Sequence, residues 1–147
     1  MLDRVGFAER SEFRGPRITT VTTVNPAANA EFTTTVPAGE AWMLLSVFVN
    51  MVATVQAPWS HLVINNAAGT QLFKSPAGTA ATTAGTTYNA AWSAGGVTVG
   101  GAAAANNFGT LPENFYLGPG FVVASSTNAL GANCDYGAAS LLVVRYS

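Results

Sequence analysis

Charge is scarce in this chain. Of its 147 residues, 9% are charged, against about a quarter in an average soluble domain. Lys and Arg number 6 and Asp and Glu 7, and more than half of these lie in the first seventeen residues: Asp3, Arg4, Glu9, Arg10, Glu12, Arg14 and Arg17. Between Ile18 and Val144 there are only Glu31, Glu40, Lys74, Glu113 and Asp135. The net charge of −1 provides no global field to attract nucleic acid, a membrane surface or a charged substrate. Cysteine is limited to Cys134, which excludes an internal disulfide and reads as a small buried apolar residue, with an intermolecular bridge or a nucleophile served by His61 as the alternatives. Histidine is limited to His61. No apolar stretch is long enough to span a bilayer: the most apolar run, Ala41–Val55, is short and interrupted by Ser46 and Asn50. Residues 1–17 lack the apolar segment of a signal peptide, so the expectation is a chain made in a cytoplasm that stays soluble, or leaves only by cell lysis or specialised export.

What is present is the pattern of an all-β domain. Thr, Val, Ile and aromatic residues recur in short runs, punctuated by Gly, Pro and Asn. Ile18–Val24 is rich in β-branched residues. Glu31–Val36 alternates, with Phe32, Thr34 and Val36 on one face, and Pro37-Ala38-Gly39 follows as a turn. Ala41–Ala53 is apolar on both faces at first, with Trp42, Leu44 and Phe48 on one parity and Met43, Leu45, Val47, Val49 and Met51 on the other. A helix is the rival assignment. Val and Phe in its middle and turns at both ends favour a central strand of a two-layer body. Ser60–Asn65 and Thr70–Lys74 flank Asn66-Ala67-Ala68-Gly69 as a hairpin. Thr86–Trp92 is a weaker strand. Asn114–Leu117, Gly118-Pro119-Gly120 and Phe121–Ser126 read as a second hairpin, and Ala138–Tyr146 as the final strand. Eight or nine short strands with turns between them predict a β-sandwich of the jelly-roll kind.

Length and composition predict one domain, residues 18–147, preceded by an extended charged arm at residues 1–17. Within 76–110, the stretches Pro76–Gly85 and Ala94–Gly109 consist almost entirely of small uncharged residues. They do not read as compact strands, because they bury too little to offset their ordering entropy. They are either mobile or packed against a neighbouring subunit.

Site chemistry is thinly provided. General acid–base work needs paired carboxylates or a positioned His, and Glu31, Glu40, Glu113 and Asp135 are isolated in sequence. No cluster has metal-ligand spacing, and Gly95-Gly96 and Gly100-Gly101 lack the context of a phosphate loop. The expectation is a non-enzyme with no cofactor and no metal. Trp59, Trp92, Tyr88 and the pairs Asn65-Asn66 and Asn106-Asn107 could serve a glycan-binding module, although turns explain the Asn pairs more simply. The arm is the candidate partner-binding segment. Phe7 and Phe13 would act as apolar anchors, and Arg4, Arg10, Arg14 and Arg17 would pair carboxylates bidentately. Asp3, Glu9 and Glu12 offset most of its positive charge, which disfavours nucleic acid.

Val36-Pro37-Ala38-Gly39-Glu40-Ala41-Trp42 with the apolar strand after it resembles small virion proteins of tailed bacteriophages. So do Leu111-Pro112-Glu113-Asn114-Phe115-Tyr116-Leu117-Gly118-Pro119-Gly120 and the closing strand at Leu141–Tyr146. The resemblance covers roughly Val36–Asn66 and Leu111–Ser147 and points to jelly-roll capsid decoration or cement proteins. It implies a homotrimer on the capsid surface, synthesised in a host cytoplasm, that clamps the major capsid protein through a terminal arm. A head–tail, tail or fibre component is the same subunit placed elsewhere on the particle.

Overall fold

The computed structural model describes residues 15–53, 60–76, 86–95, 106–127 and 134–147. Arg4, Phe7, Arg10, Phe13, Arg14 and Trp59 lie outside them, as do the side chains of Tyr88, Asn106, Asn107 and Cys134. Eleven strands are described: β1 (Arg17–Thr22), β2 (Thr33–Thr35), β3 (Ala41–Ala53), β4 (Ser60–Asn65), β5 (Gln71–Lys74), β6 (Thr86–Ala94), β7 (Asn106–Leu111), β8 (Tyr116–Leu117), β9 (Val122–Thr127), β10 (Cys134–Tyr136) and β11 (Ser140–Tyr146). No helix occurs among the described residues.

The strands form two sheets. One has the order β1-β11-β3-β6-β7, with the short β8 and β10 also pairing with β3; the other has the order β2-β9-β4-β5. Set aside the short β8 and β10 and the parallel edge strand β7. The remaining eight strands lie in two antiparallel four-stranded layers, β1-β11-β3-β6 and β2-β9-β4-β5. The first strand lies beside the last, and the second beside the next to last. The chain is wound back and forth between layers as two interlocked Greek keys, which is the jelly roll.

Between the layers sits one apolar core. It includes Phe32, Val36, Trp42, Leu44, Val47, Val49, Leu62, Ile64, Trp92, Leu111, Leu117, Val123, Leu141 and Val143, all at most 2% exposed. Around β2 the alternation follows the pattern read from sequence: Phe32 and Val36 are buried, and Thr33 and Thr35 are exposed.

In β3 a simple alternation fails. Leu142 pairs with Ser46 and Val143 with Leu44, so Leu45 is an extra residue without a partner. This β-bulge switches which parity faces inward. Trp42 and Leu44 point into the core before it, and Val47, Val49 and Met51 after it. Phe48, which shares parity with Trp42 and Leu44, is turned to the outer face and is 44% exposed.

Two further expectations are corrected. Asn114–Leu117 and Phe121–Ser126 do not form a hairpin. β8 pairs with β3 in one sheet, whereas β9 pairs with β2 and β4 in the other. The turn between them is a corner that crosses the sandwich. The Val36 backbone holds it, with Gly120 N donating to Val36 O (2.9 Å) and Val36 N donating to Phe121 O (2.9 Å). Gly120 has φ of +78°, a conformation that glycine adopts at no steric cost. Burial of Leu117 in one layer and Val123 in the other drives the crossing. Secondly, Ala94–Gly109 is not wholly without strand. Asn106–Leu111 forms β7, parallel to β6, with Leu111 in the core.

The smallness of Gly109 is what allows β7 to lie beside β6. It pairs with Trp92, and a Cβ there would overlap Trp92 Cδ1 and lie 2.7 Å from its Nε1. Gly109→Ala is expected to destabilise the fold by about 1–3 kcal/mol, the usual cost of forcing volume into a packed core. Urea unfolding measures it, and an unchanged midpoint would refute the tight approach.

Candidate functional site

The polar side chains of the body are mostly bound up in structural ties. Ser75 is buried, and its Oγ accepts hydrogen bonds from Leu62 N (2.8 Å) and Trp92 Nε1 (3.0 Å). It thus links β4 in one layer to β6 in the other. His61 Nδ1 donates to Ser75 O (2.7 Å), a structural role for the single histidine. Glu31 accepts from Ser125 Oγ, from Thr127 N (2.6 Å) and from Thr127 Oγ1 (3.0 Å). The network continues through Thr127 Oγ1 to the Tyr136 hydroxyl (2.5 Å), which also meets Ser60 Oγ. It stitches the segment before β2 to β4, β9 and β10.

The remaining carboxylates stand apart. Glu40 accepts from Trp42 Nε1 (2.9 Å) and forms an ion pair with Arg145. Asp135 Oδ1 accepts from Asn29 N (3.1 Å), which holds Asn29 at φ +64°. Glu113 lies beside Gly95. Among the described residues, no three His, Cys, Asp or Glu side chains come together.

Trp92 cannot stack on a sugar. It is 1% exposed and hydrogen-bonded inside the core, because its β6 position faces the other layer. Asn66 is used for its turn: its Oδ1 accepts from Ala68 N (3.0 Å) and Thr70 N (2.9 Å). Of the arm residues, Arg17 is described. It is exposed at the start of β1, opposite Arg145, and the two line a cleft with Gly15 and Ser147.

The unusual surface is the outer face of the larger sheet. Cross-strand register places apolar side chains in adjacent rows there. Ile18, Val144, Met43 and Tyr116 form one row across β1, β11, β3 and β8. Leu142 lies in the next row, between Thr20 and Ser46, and Phe48 lies beyond it, between Ser140 and Ala91. Val52 closes the far end of β3. Ile18 is 69% exposed and Tyr116 57%, and Phe48, Val52 and Leu142 are each more than a third exposed.

Charge on this face is confined to its rim among the described residues. Asp135 stands beside Val52 at one end. Glu113 borders a groove of 200 Å³ lined with Met43, Leu45, Ala94, Gly95 and Asn114. The rings of Tyr116 and Tyr146 meet at a tilt of 45°, with centroids 6.0 Å apart. Hydrogen bonding to Tyr116, with desolvation adding to it, raises the Tyr146 pKa above the ordinary phenol value. Large apolar side chains gathered in this way, with polar groups around them, are the mark of an interaction surface rather than of scattered surface hydrophobes.

Sequence reading placed the candidate site on the arm and missed this face. The signal was present in Leu141–Val144, four consecutive apolar residues in a strand that has a layer to pack against on one side.

A comparison with protein-family models finds no match, and a comparison with curated proteins finds none. Among solved structures, the chain is similar to a chain of T=1 particles derived from infectious bursal virus. That match has 12% identity and a TM-score of 0.38, over 97% of this chain and 36% of the other. It is also similar to a chain of infectious bursal disease virus strain Gx, with 14% identity, a TM-score of 0.35 and the same coverage. The chain therefore spans about a third of the length of those chains. At these scores the likeness adds nothing to the topology already read from strand order.

Proposed function

We propose that this protein is a non-enzymatic structural subunit of a virion, a decoration or cement protein that stabilises the head shell of a tailed phage as a homo-oligomer. The observation that carries the reading is the uncharged apolar outer face of the larger sheet, borne on a body with very little charge elsewhere. A lone globule with such a face has little to keep its copies apart, whereas a subunit surrounded by protein gains by burying it. The jelly roll is compatible with this role, since viral capsid proteins use it, as do lectins and cupins. Placement on a phage particle, and assembly as a trimer on the capsid surface, rest on the resemblance of the Val36–Trp42 and Leu111–Gly120 segments. The arm at residues 1–17, with Arg4, Phe7, Arg10, Phe13, Arg14 and Arg17, would tie each subunit to the major capsid protein, and several weak ties would add through multivalency.

Light scattering on a sizing column tests the assembly. The purified full chain should elute as a stable oligomer, expected to be a trimer. A monomer at high concentration would overturn the reading. The arm is tested separately by deleting residues 2–14, which leaves β1 intact. The truncated protein should keep its oligomeric mass and lose co-sedimentation with capsid shells; full binding by the truncated protein would remove the arm from the mechanism. Electron microscopy of the particle separates a head location from a head–tail, tail or fibre one.

A further inference from the structure

We infer that the outer face of the larger sheet, centred on Phe48 and Leu142, is the surface on which a second copy of this chain packs. The inference rests on the self-association proposed above and adds where it occurs. Three observations point to this face. It is depleted in charge, as interface cores are, and carries Met43, Phe48, Tyr116 and Tyr146 beside Ile18, Leu142 and Val144, interspersed with the uncharged Thr20, Ser46, Ser140 and Asn50. Its size is adequate. At about 3.4 Å per residue along a strand and about 4.8 Å between strands, the five long strands tile about 700 Å², close to the roughly 800 Å² per partner of a stable interface.

The third observation is electrostatic. With charge held at the rim by Asp135 and Glu113, the face offers no anchor to an acidic or basic ligand. A second neutral body such as this one leaves no charge uncompensated on it. The bulge at Leu45 belongs to the same design. By shifting parity it places Phe48 outward in the middle of the sheet, which a regular strand would have buried.

The test is a lysine scan of exposed apolar positions in the full chain, read as solution mass by light scattering. Phe48→Lys should convert the oligomer to a species of 15.1 kDa. Leu72→Lys, on edge strand β5 of the other layer and 48% exposed, should leave the oligomer intact. Circular dichroism checks that each variant is folded. If Phe48→Lys unfolds, Val52→Lys replaces a smaller side chain of similar exposure (42%) at the strand end, and the same fall in mass is expected. An oligomer that survives folded variants at both Phe48 and Val52 overturns this surface while leaving self-association standing. Loss of the oligomer on Leu72→Lys alone assigns the interface to the opposite layer and overturns it too. A native chain that is monomeric overturns both the surface and the function on which it rests.

Discussion

Replacing Ser75 with alanine is expected to lower the unfolding free energy by about 2–6 kcal/mol, since each of two buried donors left without an acceptor costs about 1–3 kcal/mol. Those donors are Leu62 N and Trp92 Nε1. No water can readily replace the hydroxyl, because Leu62, Trp92 and Ser75 are all at most 1% exposed. In a domain of this length the loss corresponds to a fall in Tm of about 5–15 °C. Trp92→Phe removes the indole donor together with its demand. In the double variant Ser75→Ala/Trp92→Phe part of the penalty should therefore disappear, giving a coupling of about 1 kcal/mol or more in a double-mutant cycle. A Ser75→Ala protein within about 0.5 kcal/mol of the parent in urea unfolding would show that the hydroxyl is dispensable.

The second large effect is expected at Phe32. Truncation to alanine should cost about 3–5 kcal/mol, the range for a fully buried phenylalanine. The ring is 0% exposed and meets Tyr136 edge-on, with centroids 5.8 Å apart and planes at 82°. Its backbone is fixed from both sides by Ser125, which accepts from Phe32 N through Oγ (3.1 Å) and donates its own N–H to Phe32 O (3.1 Å). The cavity therefore cannot close by moving the strand. Phe32→Leu, which keeps most of the volume, should cost about 1.5 kcal/mol or less. Calorimetric melting of the two variants reads the difference. Equal losses would mean that the site collapses around either side chain.

Much of this fold was legible because residues with one dominant role reported it directly. Ala41–Ala53, Ser60–Asn65 and the final strand were readable from apolar runs bounded by turn residues, and the alternation of Phe32, Thr34 and Val36 located the core side of its segment. What stayed hidden depended on partners distant in sequence. Leu45 becomes a bulge because of its pairing with β11, and that alone decides whether Phe48 is core or surface. Gly118-Pro119-Gly120 has the composition of a hairpin turn, yet β8 and β9 belong to different layers. β7 contains Asn and Gly, which are poor strand formers, and owes its place to the space that Gly109 leaves above Trp92. Trp92 itself reads equally well as ligand platform or core residue until the opposite layer is placed. The arm residues made a candidate site because charge and aromatics together are conspicuous. The outer face did not, because its members come from four strands.

The pairing of β1 with β11 has a consequence for the life of the chain on the ribosome. Ile18 and Val144 are neighbours in the sheet but lie 126 residues apart in the sequence (144 − 18). At about 5–20 residues per second, β1 waits many seconds for its partner, and such non-local pairing is intrinsically slow even afterwards. The row of Ile18, Val144 and Met43 therefore does not exist on an unfinished chain. Half of β1 is Thr, and its large apolar residues are Ile18 and Val21, so it exposes little apolar surface while it waits. A polypeptide that stops short of β11 lacks the completed apolar face, and under the packing proposed above it would lack the surface on which a second copy docks.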